Sequence, residues 1–138
     1  GEYYDAPSTY KAIIDQHNLH DSIIAVPNFI PNDEVRYYFC AADIVVQPYK
    51  TATQSGISQM AYHFDNPMLV TAVGGLPEIV PNGKVGYVVP PNTPLAIADA
   101  LINFYTENKA AYFTEQVQIE KKRFSWQYMA EGILKLMP

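Results

Sequence analysis

Four short runs of aliphatic residues constrain this chain more than any other feature of it. They lie at residues 22–26, 43–47, 68–72 and 86–89, and each is nearly continuous in Ile, Val or Leu. A strand with one solvated face alternates apolar and polar residues, whereas a near-continuous run suits a strand buried on both faces of a parallel sheet. Segments with helical signals fall around and between them, at 8–17, 33–42, 56–64 and near 77–80. Strand and helix in alternation predict an α/β fold with right-handed crossovers.

Beyond the last run the chain is predicted to be helical. Thr93-Pro94 is the clearest start, because Thr is a favoured cap and proline at the first helical position loses no needed hydrogen bond. Behind it Ile97, Leu101, Phe104 and Tyr105 recur on one helical face. Two further helices are expected near 110–122 and 125–137, the last capped by Ser125. With 138 residues, no internal repeat and no linker, the chain is one domain at most. It opens on Gly1-Glu2-Tyr3-Tyr4-Asp5 and a helix with no strand before it, which reads as a cut rather than a natural start.

Composition removes several function classes. A chain 49% hydrophobic and 17% charged is globular rather than disordered. The net charge of −5, with Lys121-Lys122-Arg123 as the one basic cluster, argues against a nucleic-acid binder. That cluster reads as a solvated helix end. The single Cys40 permits neither a disulfide framework nor a thiolate metal site and reads as a small core residue. His17, His20 and His63 are not spaced as ligands with carboxylates nearby, so no metal is expected. No segment reaches 18 apolar residues and no signal-peptide pattern is present, which reads as a soluble chain of a reducing compartment.

The chemistry is expected in loops, since ligands of open parallel sheets sit outside the carboxyl ends of the strands. Three loops qualify: "PNFIPN" after the first run, residues 48–56 after the second and "AVGGLPE" after the third. In the second, Thr53, Gln54, Ser55 and Gly56 lie where a strand hands over to a helix. A helix start there presents free backbone N–H groups and the positive end of its dipole, which attract phosphate. Gly56 removes a Cβ from the approach, and Lys50 can add a point charge. The plainer reading is a capped helix start, with Thr53 or Ser55 as the cap. Gly74-Gly75 before Leu76-Pro77-Glu78 offers a second amide-lined edge, where Glu78 either complements the dipole or accepts a ligand hydroxyl. No nucleophile–base pair, Walker motif or G-x-G-x-x-G is present.

In order and spacing, "FCAADIVVQPY", "ATQSGISQMAYHFDNPMLVTAVGGLPEIV", "GKVGYVVPPNTPLAIADAL" and "FSWQYMAEGILKL" resemble the C-terminal, donor-binding half of the group 1 retaining glycosyltransferases. The resemblance implies a Rossmann-like, doubly wound parallel sheet, an N-terminally truncated half of a GT-B fold. It implies a nucleotide-diphosphate sugar as donor, no metal cofactor, and transfer to a hydroxyl of a glycan or lipid-linked acceptor through an N-terminal half. It places the loop 52–56 on the sugar and diphosphate, Gly74 and Gly75 near the sugar, and Phe29, Ile30 and Pro31 beside the nucleobase. A cytoplasmic parent, associated with membrane in its full length, fits that activity.

The chain departs from the family in three ways. The family commonly carries two glutamates eight positions apart, which here align with Ala52 and Met60. The chain follows instead a subgroup reading "PY-(K/R)-x-ATQSG", where Thr53, Gln54 and Ser55 take over the polar contacts. The family's diphosphate-binding Arg and Lys would precede Gly1, as would the acceptor site and any catalytic base. The chain alone is therefore expected to be inactive and to bind donor weakly. In the family strand order 3-2-1-4-5-6, the runs 22–26 and 43–47 would be strands 3 and 4 with two strands missing between them. Either the sheet rearranges or its exposed edges pair with a second chain as a dimer. A nucleotide-sugar epimerase and a non-enzymatic α/β interaction module are the alternatives.

Overall fold

A computed structural model describes Tyr3 and residues 6–136. Gly1, Glu2, Tyr4 and Asp5 of the opening, and Met137 of the last expected helix, lie outside the described residues. The chain divides into two compact units, Gly1–Arg36 and Tyr37–Pro138.

The first unit is built on α1, Pro7–Gln16, which starts on a proline and ends at His17. Asn18 turns left-handed (φ 52°), and the Leu19 amide donates back to Ile14 O at 3.0 Å. Ser22 and Ile23 both donate to Leu19 O at 3.0 Å, which closes a further turn. The strand expected at 22–26 is therefore not formed. A strand exists only by pairing with a neighbour, and this segment instead runs irregularly with Ile24 93% exposed. The helix α2, Val35–Ala41, begins at the end of this unit and continues into the next.

The second unit holds the sheet. Strands β1 (Val45–Gln47), β2 (Met68–Thr71) and β3 (Gly86–Val89) pair in parallel in the order β1-β2-β3. The register sets Val46 beside Leu69 and Leu69 beside Tyr87. Alternation along β2 sends its side chains to opposite faces. Met68 and Val70 join Ala61, Tyr62, Leu76, Val80, Val85 and Val117 in one core cluster. Leu69 joins Val89 and Ala100 in the other. All four residues of β2 are buried, the two-sided burial that its continuous apolar run predicts. β3 approaches β2 so closely that a Cβ on Gly86 would collide with the Met68 carbonyl.

Helices cover both faces. α3 (Gly56–His63) and α4 (Leu76–Ile79) contribute to the first cluster, and α5 (Pro94–Thr106) to the second. α6 (Lys109–Glu120) sends Val117 into the first cluster, while its Phe113 meets Phe104 of α5 at 6.2 Å and Tyr87 of β3 at 5.1 Å. A 3-10 turn, Lys121–Phe124, leads into α7, Trp126–Lys135. As expected, Ser125 caps α7, accepting the Tyr128 amide at 3.2 Å.

Three local expectations are corrected. Cys40 is exposed rather than core; one residue along a helix turns the side chain by a quarter-turn or more, and α2 aims Phe39 inward instead. Phe39 stacks on Phe64 at 5.3 Å. On α5, Ala100 takes the buried place expected of Tyr105, whose hydroxyl reaches Asp43 at 3.4 Å on the surface. Thr93 stands at the N-cap of α5 but makes no capping bond; its hydroxyl donates to Pro91 O at 3.1 Å.

Candidate functional site

The carboxyl ends of β1 and β2 lie side by side, and their following loops are joined directly. The Gly75 amide donates to Thr53 O at 2.9 Å. Gly74 adopts a left-handed backbone (φ +51°), and a Cβ there would strike the Ala52 carbonyl oxygen and lie 2.8 Å from Thr53 O. Only glycine holds that geometry at that separation. A Cβ on Gly75 would stand 3.2 Å from the same Thr53 oxygen and 3.9 Å from Gln54 Cγ. The structure thus brings Thr53, Gln54, Gly74 and Gly75 together as one double loop.

Ser55 is the N-cap of α3: its hydroxyl accepts the Ile57 amide at 3.2 Å and lies 3.3 Å from the Tyr49 hydroxyl. The plainer reading of this stretch therefore holds for Ser55, while Thr53 contributes its carbonyl to the neighbouring loop rather than a cap. Gly56 opens α3, and a Cβ on it would meet nothing within 4 Å. Its amide has no acceptor ahead of it within the helix, so α3 presents the positive end of its dipole beside an unobstructed surface. Thr53, Gln54, Gly56 and Lys50 are exposed and Ser55 is half-buried. The loop is anchored from beneath by Thr71, whose hydroxyl donates to Tyr49 O at 2.6 Å.

The Gly74-Gly75 loop is less an amide-lined edge than a buttress. Its Gly75 amide serves Thr53, and the Leu76 amide donates to Val73 O at 3.2 Å. Glu78 is exposed, and its carbonyl accepts from Arg123 Nη2 at 2.7 Å. Phe29, Ile30 and Pro31 belong to the first unit, where Phe29 is 77% exposed and the Pro31 carbonyl accepts the Glu34 and Val35 amides.

Sequence reasoning missed the polar support behind the loop. Gln47 and Ser58 are both buried, and Ser58 Oγ donates to Gln47 Oε1 at 3.1 Å. Gln47 Nε2 has no hydrogen-bond partner among the described residues. The available signal was a polar residue ending an otherwise aliphatic run. The basic run 121–123 is likewise not merely solvated: Lys121 pairs with Asp65, and Arg123 with Glu120. Among the described residues no group of His, Cys, Asp or Glu is arranged to hold a metal ion.

A parallel sheet wound on both faces, with a glycine-spaced double loop at the strand ends, defines a Rossmann-like α/β domain. The profile described as "Glycosyl transferases group 1" matches residues 1–107, and the chain belongs to that family. It is similar to the D-inositol 3-phosphate glycosyltransferase of Corynebacterium glutamicum, 28% identical over 131 residues that cover 94% of this chain and 31% of the relative. Two solved structures share the fold. The C-terminal domain of a glycosyl transferase group 1 family protein, LpcC of Francisella tularensis, has a TM-score of 0.74 and 22% identity, covering 83% of this chain and 60% of that one. Anabaena Alr3699/HepE in complex with UDP-glucose has a TM-score of 0.75 and 18% identity, covering 93% of this chain and 36% of that one. The chain thus spans about a third of the curated relative's length. Among the described residues no helix is long and apolar enough to cross a membrane.

Proposed function

We propose that residues 1–138 form the nucleotide-sugar-binding C-terminal domain of a hexosyltransferase. The whole enzyme would transfer the sugar with retention: the bond from the anomeric carbon to the donor's diphosphate breaks, and one to a hydroxyl of a glycan or lipid-linked acceptor forms. The nucleoside diphosphate leaves. The observation that carries this reading is the double loop, in which Gly75 N–H holds Thr53 O beside the open start of α3. Such a helix end meets a diphosphate with backbone donors and a favourable dipole, and Lys50 adds a cation on the same loop. The reading assigns this charge to the protein rather than to a metal. Thr53 and Gln54 offer side chains to the sugar hydroxyls. The UDP-glucose complex of Alr3699/HepE, a protein of the same fold, supports a nucleotide sugar as the ligand.

Titration of the chain with UDP, GDP and their sugars, followed by amide chemical shifts, tests the reading. Shifts concentrated at residues 53–56 and 74–75 that differ between the two bases are expected. Equal small shifts over the whole surface, with both bases, would sink it.

A further inference from the structure

We propose that Arg123, far along the chain from the double loop, is a positioning residue for it. The inference rests on the donor-binding reading above. α4, Leu76–Ile79, directly follows Gly74-Gly75 and is only four residues long, about 6 Å at the usual rise. Its first end is tied to Thr53 through the Gly75 amide. Its other end presents carbonyls, and Arg123 Nη2 donates to two of them, Glu78 O at 2.7 Å and Ile79 O at 3.2 Å. Tyr62 of α3 donates its hydroxyl to Ile79 O as well, at 2.6 Å.

Arg123 is itself held on several sides. Its Nε pairs with Glu120 Oε1 at 2.7 Å, and Glu120 Oε2 is taken by Lys84. The guanidinium lies 4.5 Å from the centre of the Phe124 ring, which packs 4.8 Å from the Tyr62 ring. A planar fork that can serve two carbonyls and a carboxylate at once has no equivalent in lysine. One turn of helix is too short to bend, so a displacement at its carbonyl end is carried to Gly74-Gly75. The Thr53–Gly75 bond is the place where that displacement reaches the cradle.

The test compares Arg123→Met, Arg123→Lys and Lys121→Met on this chain. The last removes the ion pair with Asp65 from the same 3-10 turn without touching α4. Amide hydrogen exchange at Gly75 and binding of UDP and GDP are measured beside thermal unfolding. Arg123→Met is expected to speed Gly75 exchange at least tenfold and to weaken nucleotide binding about fivefold or more, with Arg123→Lys between it and the unmodified chain. Lys121→Met is expected to leave both readouts within twofold. Unchanged Gly75 exchange in folded Arg123→Met, or equal changes in Lys121→Met, overturns the proposal. If Arg123→Met does not fold, Arg123→Lys carries the same comparison. If neither nucleotide binds the unmodified chain, the donor reading fails, while Gly75 exchange still decides whether Arg123 sets the loop.

Discussion

Ser58 Oγ donates to Gln47 Oε1 at 3.1 Å, and both side chains are buried, so the last residue of β1 is bonded to the first turn of α3 beneath the double loop. Removing one partner leaves a buried amide with neither end bonded within the protein, since Gln47 Nε2 already lacks a partner among the described residues. Ser58→Ala should therefore cost about 1–3 kcal/mol, whereas Ser58→Ala with Gln47→Leu should cost much less than the single change. Urea unfolding midpoints check this. A double variant less stable than Ser58→Ala would show that the pair is not the source of the loss.

Gly74 and Gly83 both have positive φ, but only Gly74 has a carbonyl where its Cβ would go. Gly83→Ala should cost about 1 kcal/mol of backbone strain and leave nucleotide binding alone. Gly74→Ala must push the loop at 52–54 aside, and tenfold or greater loss of UDP or GDP affinity is expected. Calorimetric titration of the two variants separates strain from obstruction.

The cap and the cradle can be separated at Ser55. Ser55→Ala removes the bond to Ile57 N and should cost about 1 kcal/mol. Ser55→Asp retains a good cap and a favourable charge for the dipole, so stability should recover. The same charge repels a diphosphate, and binding should be weaker than in Ser55→Ala. If Ser55→Asp binds nucleotide as well as the unmodified chain, the anion does not sit at this helix end.

Burial pushes the Tyr62 hydroxyl up to about 12 from its ordinary 10.0, against an opposing pull from Arg123. A raised folded value stabilises the neutral form, so this contribution is complete below pH 10 and is lost as pH climbs towards 12. Below pH 10 it is worth on the order of 2–3 kcal/mol relative to the alkaline limit, where it is gone. Tyr62→Phe should be less stable at pH 8, having lost the bond to Ile79 O. Its stability should then fall less steeply than the parent's from pH 10 upward. Parallel alkaline profiles for the two proteins would contradict the assignment.

The elements read correctly from sequence are those whose signals are local. The aliphatic run at 68–72, the Thr93-Pro94 helix start and the Ser125 cap each depend on a few adjacent residues. The run at 22–26 carries the same composition, yet a strand requires a neighbour that composition does not specify. Cys40 reads as a core residue from its size and its helical neighbours, yet the orientation of α2 turns Phe39 inward instead. For the site, the glycines and small polar residues pointed to both loops, but nothing local in them told that Gly74 leaves space for the Ala52 carbonyl. Arg123 was least legible, because its acceptors lie more than forty positions away.

Each rung of the sheet joins distant stretches of chain: Val45 pairs with Met68, and Met68 with Gly86. No hairpin shortens either span. Every strand pairing must first close a loop of roughly 20 residues, an entropic cost met before any ladder bond rewards it. A nascent chain ending before Gly86 has two of the three strands at most, with β2 bare along one side. Slow, late assembly follows, and in that interval the strand that ends up wholly buried is the one most available to an unrelated chain.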